Sequence, residues 1–277
     1  MTVSTADLPA PADQLAEVAL AVAVEAADRA RAARAAGFAV DTKSTATDLV
    51  TEVDRATDAW IRAALLEHRP DDGLLTEEDR QVAGRSGIVW VVDPIDGTTN
   101  FVHGIAPYAV SIAATVDGDQ PVAGAVVEIA HDQRFVAALG HGATLDGRPL
   151  RCATDVPLAR ALVATGFGYD PARRERQAAV VGRIIGSIAD VRRFGAAAMD
   201  LCSVAAGRVT AYYEAGLSAW DLAAGRIIAT EAGAAVEAIE GGPPRPDSVL
   251  AAPAALVGPL RDLLVSAGAH RVLDPAT

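Results

Sequence analysis

The chain has 277 residues, of which 51% are hydrophobic, enough to bury a large core in one big domain or in two halves packed together. Its formal net charge of −12 argues against nucleic acid as the main partner, because phosphate backbones attract basic surfaces. No apolar stretch approaches the ~18–20 residues that a membrane span needs, so no membrane partner is expected. Cys152 and Cys202 lie far apart and indicate a reducing, cytoplasmic location, with both buried as small apolar side chains.

The first predicted elements are helical. A loose tail over residues 1–12 precedes a long alanine-rich helix over 13–36, which Gly37 ends. A polar loop then begins at Lys43 and leads into a second helix, in which Asp54 is placed as the N-cap. Lys43 is the one lysine in a chain whose positive charge is otherwise carried by arginine. It is either part of a site that needs a compact ammonium group or a chance survivor.

The next predicted elements contain the candidate functional carboxylates. A short strand runs into an acidic turn at Glu77, and a buried strand over 90–92 ends abruptly at Asp93 and Asp96. Two carboxylates three residues apart at a strand end converge easily. The small residues after Asp96 suit the start of a helical turn whose free N–H groups face the same volume. Carboxylates that bind divalent metals beside donors that bind an anion indicate a phosphate-ester site, whereas the simpler alternative is an acidic surface turn.

The remaining elements divide into two groups. Strands over 108–115, 122–129 and 134–139 are predicted to form an antiparallel meander that completes a first half, residues 13–150. In the second half, residues 151–277, short strands alternate with helices, which favours helices packed on a mostly parallel or mixed sheet.

Four acidic positions recur at the ends of predicted elements: Asp54, Glu77, the pair Asp93 and Asp96, and Asp221. Asp221 begins a helix, so a simple capping role is the alternative for it. Hard oxygen ligands without a His/Cys cluster favour Mg²⁺ or Mn²⁺ over zinc. Neither a serine-hydrolase elbow nor a P-loop occurs in the sequence.

Residues 93–104 and 220–233 resemble the two signature motifs of the inositol monophosphatase family. Residues 43–54 and the Glu77-Glu78 pair match the same family in order and spacing, so the resemblance covers nearly the whole chain. The fold that it implies is the layered αβαβα sandwich of the sugar-phosphatase superfamily, with the site between the two halves. Thr76 and Ala234 stand where the family often has glycine, which affects loop shape and removes no ligand.

The resemblance also implies a role for each matching residue. The metal ligands would be Glu77, Asp93, the Ile95 carbonyl, Asp96 and Asp221, which hold two or three Mg²⁺ ions with Mn²⁺ as a substitute. The catalytic group would be Asp54 and Thr98, which orient and deprotonate the attacking water, together with Glu77 and Lys43. The substrate would contact Gly97, Thr98, Gly195, Ala197 and Glu214, although a surface glutamate at a strand end is the alternative reading of Glu214.

The function implied by the resemblance is Mg²⁺-dependent hydrolysis of inositol 1-phosphate, with inhibition by Li⁺ and a homodimer. Other small phosphate esters are the alternatives: histidinol phosphate, fructose 1,6-bisphosphate, NADP and adenosine 3′,5′-bisphosphate. A hypothesis of another class is a regulatory binding protein, since some bacterial relatives associate with the transcription machinery.

Overall fold

The computed structural model describes residues 8–43 and 49–274. The predicted tail therefore lies outside the described residues over 1–7, as does the predicted polar loop over 44–48. The helices of the described chain are α1 Ala12–Ala36, α2 Glu52–His68, α3 Thr98–His103, α4 Pro171–Ile184, α5 Ala197–Ala205, α6 Ala219–Glu231 and α7 Ala254–Ser266. None of these helices is long and apolar enough to cross a membrane.

A seven-stranded sheet forms the first large layer. Its strands, in spatial order, are β3 Gly73–Thr76, β4 Ile88–Asp96, β5 Ala109–Val116, β6 Gln120–Glu128, β7 Gln133–Ala138, β8 Gly142–Leu145 and β9 Arg148–Pro149. β3 pairs with β4 in parallel and every later pair is antiparallel. The predicted meander is thus confirmed. A separate antiparallel hairpin joins β1 Val40–Thr42 to β2 Leu49–Thr51.

The second large sheet has five strands and mixed pairing. Its strands are β10 Leu162–Thr165, β11 Asp190–Arg192, β12 Ala211–Glu214, β13 Ala234–Glu237 and β14 Val249–Pro253. Their spatial order is β11-β10-β12-β14-β13, with β10 parallel to both of its neighbours and β14 antiparallel to both of its own. The predicted boundary between residues 150 and 151 falls in the segment that joins the two sheets, and the division into halves there stays a prediction.

Alanine explains how α1 packs against the first sheet. Ala19, Ala23, Ala26 and Ala30 recur every three or four residues along one face of the helix, and all are fully buried. Because their side chains are small, the helix backbone approaches β5 and β6 closely. A stripe of larger residues here would push the helix away from the sheet.

The helices complete five layers. α1 and α2 cover the outer face of the first sheet. α5 and α6 lie between the two sheets, where Ile227 joins one apolar cluster with Val126 of β6 and Leu201 joins another with Tyr212 of β12. α4 and α7 cover the outer face of the second sheet, through residues such as Val180. The predicted αβαβα sandwich is therefore confirmed.

Three local predictions were wrong. Thr51, not Asp54, is the N-cap of α2, because the Thr51 hydroxyl accepts bonds from the N–H groups of Val53 and Asp54, and Asp54 is the reciprocal partner in a capping box. β4 continues through Asp96 instead of ending near residue 92, since β5 pairs with it over that length. Cys152 is half-buried, whereas Cys202 is fully buried as expected.

Candidate active site

An irregular strand end brings Asp93 and Asp96 to one side of the sheet. Residues three apart on a regular strand point to opposite faces. The register between β4 and β5 shifts between Asp93 and Asp96, which lets both carboxylates turn toward the same volume. The Asp93 carboxylate also accepts a hydrogen bond from the Ile95 N–H at 3.0 Å, which fixes the turn around the intervening proline.

Helix α6 delivers the third carboxylate. Asp221 is the third residue of α6, and its side chain accepts the Ser218 N–H at 2.7 Å in a capping box. The predicted capping role is therefore real, but it uses only one oxygen. One oxygen from each of Asp93, Asp96 and Asp221 lies within 4.8 Å of the others. The second oxygen of the capping aspartate is therefore available to a group that could hold a metal ion.

Asp96 links the two sheets through α5. Its two carboxylate oxygens accept hydrogen bonds from the N–H groups of Ala197 at 3.1 Å and Ala198 at 2.8 Å. These are the first two residues of α5, whose N–H groups have no partner within the helix. The carboxylate therefore satisfies the helix end and faces its positive dipole.

Glu77 is held by the only lysine. Lys43 Nζ donates to Glu77 Oε1 at 2.7 Å and also contacts Glu78 closely. Burial lowers the pKa of Lys43, but the two carboxylates outweigh burial and the net shift is upward. The ammonium group supplies a positive charge at the edge of the carboxylate cluster, so the site reading of Lys43 is the one that the geometry supports.

The electrostatics of the cluster fit a divalent cation. Burial raises the pKa of Asp93 and of Asp96 well above the usual range, and the neighbouring carboxylates raise both further. Burial also raises the pKa of Asp221 to about 6. For Glu77, burial raises the pKa to about 7 although Lys43 opposes the shift. Crowded, buried carboxylates cost free energy unless protons or cations neutralise them, and an all-oxygen donor set suits Mg²⁺ or Mn²⁺.

Thr98 and Asp54 form a pair behind the cluster. Thr98 Oγ1 lies 3.0 Å from Asp54 Oδ1 and 3.1 Å from the Ile95 carbonyl oxygen, and its single proton can serve one acceptor at a time. Asp54 is fully buried, and burial raises its pKa although bonds from Thr51 and Thr98 oppose the shift. The position of Asp54 in the first turn of α2 points its carboxylate at Thr98.

A cleft of about 360 Å³ opens over these groups. Every predicted site residue except Asp54 lines it: Lys43, Glu77, Asp93, Ile95, Asp96, Gly97, Thr98, Gly195, Ala197, Glu214 and Asp221. Gly97 has φ 88°, and a Cβ there would lie 3.1 Å from Ala196 Cβ and 3.2 Å from the Gly195 carbonyl oxygen. Only glycine lets these two backbone segments approach so closely.

Glu214 also lines the cleft, at the end of β12. The Tyr212 hydroxyl donates to Glu214 Oε2 at 2.7 Å, which leaves Oε1 free to accept other hydrogen bonds. Burial raises the pKa of Glu214 to about 7, although Tyr212 and then Arg193 oppose the shift. Glu214 therefore belongs to the cleft and is not a surface residue.

Sequence reasoning missed several groups around Glu214. Arg173 and Arg193 line the cleft, and Asp200 is buried in α5 without a hydrogen-bond partner for either side-chain oxygen among the described residues. An acidic residue inside the otherwise apolar run of α5 was a readable signal for Asp200. The two arginines carry no such signal, because arginine is common throughout this chain.

The fold and the site together define the class: a layered αβαβα phosphatase with a carboxylate-lined cleft to which both large sheets contribute residues. The model of the inositol monophosphatase family matches residues 12–272, and the chain belongs to that family. It is accordingly a phosphoric monoester hydrolase of a metal-dependent type.

Individual relatives agree with this assignment. The chain is 46% identical over 244 residues to the inositol-1-monophosphatase of Mycobacterium leprae. The aligned region covers 81% of this chain and 84% of that protein. The chain is 40% identical over 200 residues to the Nus factor SuhB of Escherichia coli, covering 70% and 73%. Among solved structures, Mycobacterium tuberculosis SuhB superposes with a TM-score of 0.80 and 41% identity over 95% of this chain and 99% of that one.

Proposed function

We propose that this chain hydrolyses inositol 1-phosphate to inositol and inorganic phosphate in a Mg²⁺-dependent reaction. The observation that carries the proposal is the convergence of Asp93, Asp96 and Asp221 within 4.8 Å, in the same cleft as Glu214. The three aspartates suit metal and phosphate, and the separate carboxylate of Glu214 suits hydroxyl groups. Relatives named inositol-1-monophosphatase, at 46–47% identity, support the same substrate.

The metal-binding residues would be Glu77, Asp93, the Ile95 carbonyl, Asp96 and Asp221. Together they supply hard oxygen donors for two or three ions, with Mn²⁺ able to replace Mg²⁺. Bound there, such ions activate water near neutral pH and stabilise negative charge on the entering and leaving oxygens of an in-line displacement.

Thr98 and Asp54 would orient the attacking water. When the Thr98 hydroxyl donates to Asp54, a lone pair of Oγ1 is free to accept a hydrogen bond from water. The water proton passes toward Asp54 through Thr98 as the oxygen attacks phosphorus, the ester bond breaks, and the departing alkoxide takes a proton from solvent. The upward shift in the pKa of Asp54 makes it a better base for this step.

The phosphate and the polyol would bind at neighbouring points of the cleft. The N–H groups of Gly97 and Thr98 lie at the start of α3 and would donate to phosphate oxygens. Gly195 and Ala197 would contact the ring. Because Tyr212 occupies one oxygen of Glu214, the other can accept bonds from adjacent ring hydroxyls.

A phosphate-release panel tests this proposal. Purified protein with Mg²⁺, with Mn²⁺ or with chelator would be given inositol 1-phosphate, histidinol phosphate, fructose 1,6-bisphosphate, NADP and adenosine 3′,5′-bisphosphate. We expect metal-dependent release from inositol 1-phosphate, abolished in Asp221→Asn and retained in the control Asp155→Asn, which changes an exposed aspartate outside the cleft. A preference for histidinol phosphate over inositol 1-phosphate would remove the inositol assignment.

A second candidate, a regulatory binding role, is favoured by one observation: relatives at 40–42% identity are named Nus factor SuhB. That name belongs to those proteins, and the acidic charge of this chain supports the prediction that nucleic acid is not its partner. Asp93→Asn separates the two roles. If the variant keeps full phosphate release and loses a cellular phenotype, the enzymatic proposal fails.

Three further properties belong to the same proposal: a homodimer, inhibition by Li⁺ and a cytoplasmic location. Light scattering of the purified chain would measure the oligomeric state, and a monomer at micromolar concentration would exclude the homodimer. Phosphate release in a Li⁺ series at fixed Mg²⁺ would measure inhibition by Li⁺. Fractionation of the source cells would locate the protein.

A further inference from the structure

Asn100 is the only asparagine in the chain, and it lies in α3 as the third residue of that helix. Its side-chain amide donates one hydrogen bond to the Pro107 carbonyl oxygen at 2.8 Å and one to the Phe194 carbonyl oxygen at 2.7 Å. An amide nitrogen carries two hydrogens, so both donors are used. Aspartate has no such donors, and glutamine would place them one methylene further out. The geometry therefore requires an asparagine at this position.

The more distant of the two partners belongs to a segment without regular secondary structure, residues 193–196. This segment runs from β11 to the start of α5 and includes Gly195, which has φ 87° and lines the cleft. A Cβ at Gly195 would lie 3.4 Å from Asn100 Nδ2, so the amide packs directly against this backbone. Such a segment lacks the regular hydrogen bonds of a strand or helix, and side chains that bind its carbonyls determine where it lies.

Asn100 acts alongside two other contacts to the same part of the chain. The Asp96 carboxylate accepts the Ala197 N–H at 3.1 Å, and Gly97 packs against the Gly195 carbonyl oxygen. The Asp96 bond holds the backbone that follows Gly195. The Asn100 bond holds the carbonyl that precedes Gly195. The backbone of Gly195 is therefore fixed from both sides.

Asn100 is not among the residues of the described chain that line the cleft, whereas Gly97, Thr98 and Gly195 are. It therefore acts through the backbone and not by contact with substrate. The N–H groups of Gly97 and Thr98 belong to the start of α3, and they stay in place whether or not Asn100 binds the distant segment. The separation between α3 and Gly195, in contrast, depends on that bond.

We propose that Asn100 is a positioning residue that sets the separation between the phosphate-binding N–H groups of α3 and the ring-binding backbone at Gly195. The inference rests on the proposed phosphatase function, in which Gly195 contacts the ring of the substrate. Without the amide, residues 193–196 shift relative to α3, and one substrate no longer satisfies the phosphate contacts and the ring contact together. The phosphate contacts by themselves are unchanged.

The test separates binding of the whole substrate from binding of its phosphate alone. Asn100→Leu removes both donors at nearly constant shape, and Asn100→Ala removes them without adding apolar branches. For each protein, kcat and KM for inositol 1-phosphate would be measured with Mg²⁺, together with the inhibition constant of inorganic phosphate. We expect KM to rise about tenfold, the scale of one lost buried hydrogen bond, while kcat and the inhibition constant stay close to their wild-type values.

Two control variants distinguish positioning from a general loss of stability. Thr115 is buried outside the cleft, and its hydroxyl donates to the Val89 carbonyl oxygen at 2.7 Å. Thr115→Val thus removes a buried donor to a backbone carbonyl at constant shape, as Asn100→Leu does. It should lower the urea midpoint and leave KM unchanged. His103→Ala changes an exposed residue of α3 and should leave both quantities unchanged.

Hydrogen exchange measures the position of the segment without any substrate. The amides of residues 193–199 should exchange about tenfold faster in both Asn100 variants, because local opening costs less free energy once the Phe194 carbonyl loses its donor. The amides of α6 should keep their wild-type rates. Equal exchange over residues 193–199 in the wild type and both variants would overturn the positioning role.

The kinetic outcomes separate the inference from the proposed function. An unchanged KM for inositol 1-phosphate in both Asn100 variants would overturn the positioning role and leave the phosphatase function standing. An inhibition constant of phosphate that rises by the same factor as KM would also overturn it, because the effect would then lie at the phosphate contacts. If the wild type releases no phosphate from inositol 1-phosphate, the proposed function fails, and hydrogen exchange alone decides whether Asn100 holds the segment.

Discussion

Asp93→Asn should stabilise the metal-free protein while abolishing its activity. Asp93, Asp96 and Asp221 offer oxygens within 4.8 Å of one another. Two unit charges at 4.8 Å repel by about 3.5 kcal/mol at an effective dielectric of about 20. The protein already relieves part of this repulsion by binding protons, as the raised pKa values of all three carboxyls indicate. We therefore expect the free energy of unfolding in chelator to rise by about 2 kcal/mol.

Added metal should make the wild type more stable than Asp93→Asn, which reverses their order of stability in chelator. An ion at 100 times its dissociation constant stabilises the native state by about 2.7 kcal/mol. The wild type should gain this increment, and Asp93→Asn should lose most of it because its amide offers one weaker oxygen donor. Asn keeps an oxygen that can accept the Ile95 N–H, so the local turn is preserved.

Urea unfolding at pH 7.5, with chelator and with a Mg²⁺ series, measures both effects as shifts in the midpoint. A variant less stable than wild type in chelator would refute the repulsion argument. An equal Mg²⁺ increment in the two proteins would refute the assignment of Asp93 as a ligand. Asp155→Asn is the control and should behave as wild type in both media.

Further predictions concern other carboxylates and the hydroxyl of the site. The metal-free protein should lose stability as pH rises from about 4 through about 7. Native Asp221 and Glu77, with pKa values of about 6 and 7, hold protons that the unfolded chain releases in this range. Urea midpoints measured across pH test this, and a midpoint that rises with pH would contradict it. Thr98→Val should lower kcat about 100-fold with little change in KM, since the water loses its orienting hydroxyl; an equal loss through KM alone would contradict it. Asp200→Asn should stabilise the protein by about 1–3 kcal/mol at pH 8, because the wild type must take up a proton on folding to keep this buried side chain neutral, whereas the amide is neutral without one. A destabilised variant would contradict this expectation.

The Asp200 prediction depends on the charges around that side chain. Burial raises the pKa of Asp200 well above its usual range, Glu214 and Asp96 raise it further, and Arg193 opposes them. The native state therefore keeps the Asp200 proton that the unfolded chain releases, so the wild type should lose stability above pH 4 relative to Asp200→Asn. The gap between the two proteins should widen with pH and close below pH 4.

The local sequence was sufficient to locate Asp93 and Asp96, but it did not identify the residue that caps the start of α2. A strand followed by two close carboxylates and small residues is a pattern within one short segment, and the structure brings these groups together as expected. The start of α2 was misplaced because Thr51 and Asp54 both suit an N-cap, and their order is decided by two reciprocal hydrogen bonds.

Contacts between segments that are far apart in the sequence could not be predicted from local sequence patterns. The Thr98–Asp54 bond joins residues 44 apart, and only the family resemblance placed them together. The Arg173 side chain lies against Gly168 and Gly216, two positions that no periodicity in the sequence connects. Arginine there looks like any other arginine until the backbone around it is known.

The bonds from Ala197 and Ala198 to Asp96 couple the proposed metal site to the interface between the two sheets. If the sheets separated, α5 would lose the acceptor at its first turn and the ligand cluster would lose the groups that fix Asp96. Metal affinity should therefore fall whenever the interface loosens, even when every ligand is intact. Substitutions far from the cleft, in the apolar layer between the sheets, could then be ranked by their effect on ion binding before any loss of fold is detectable.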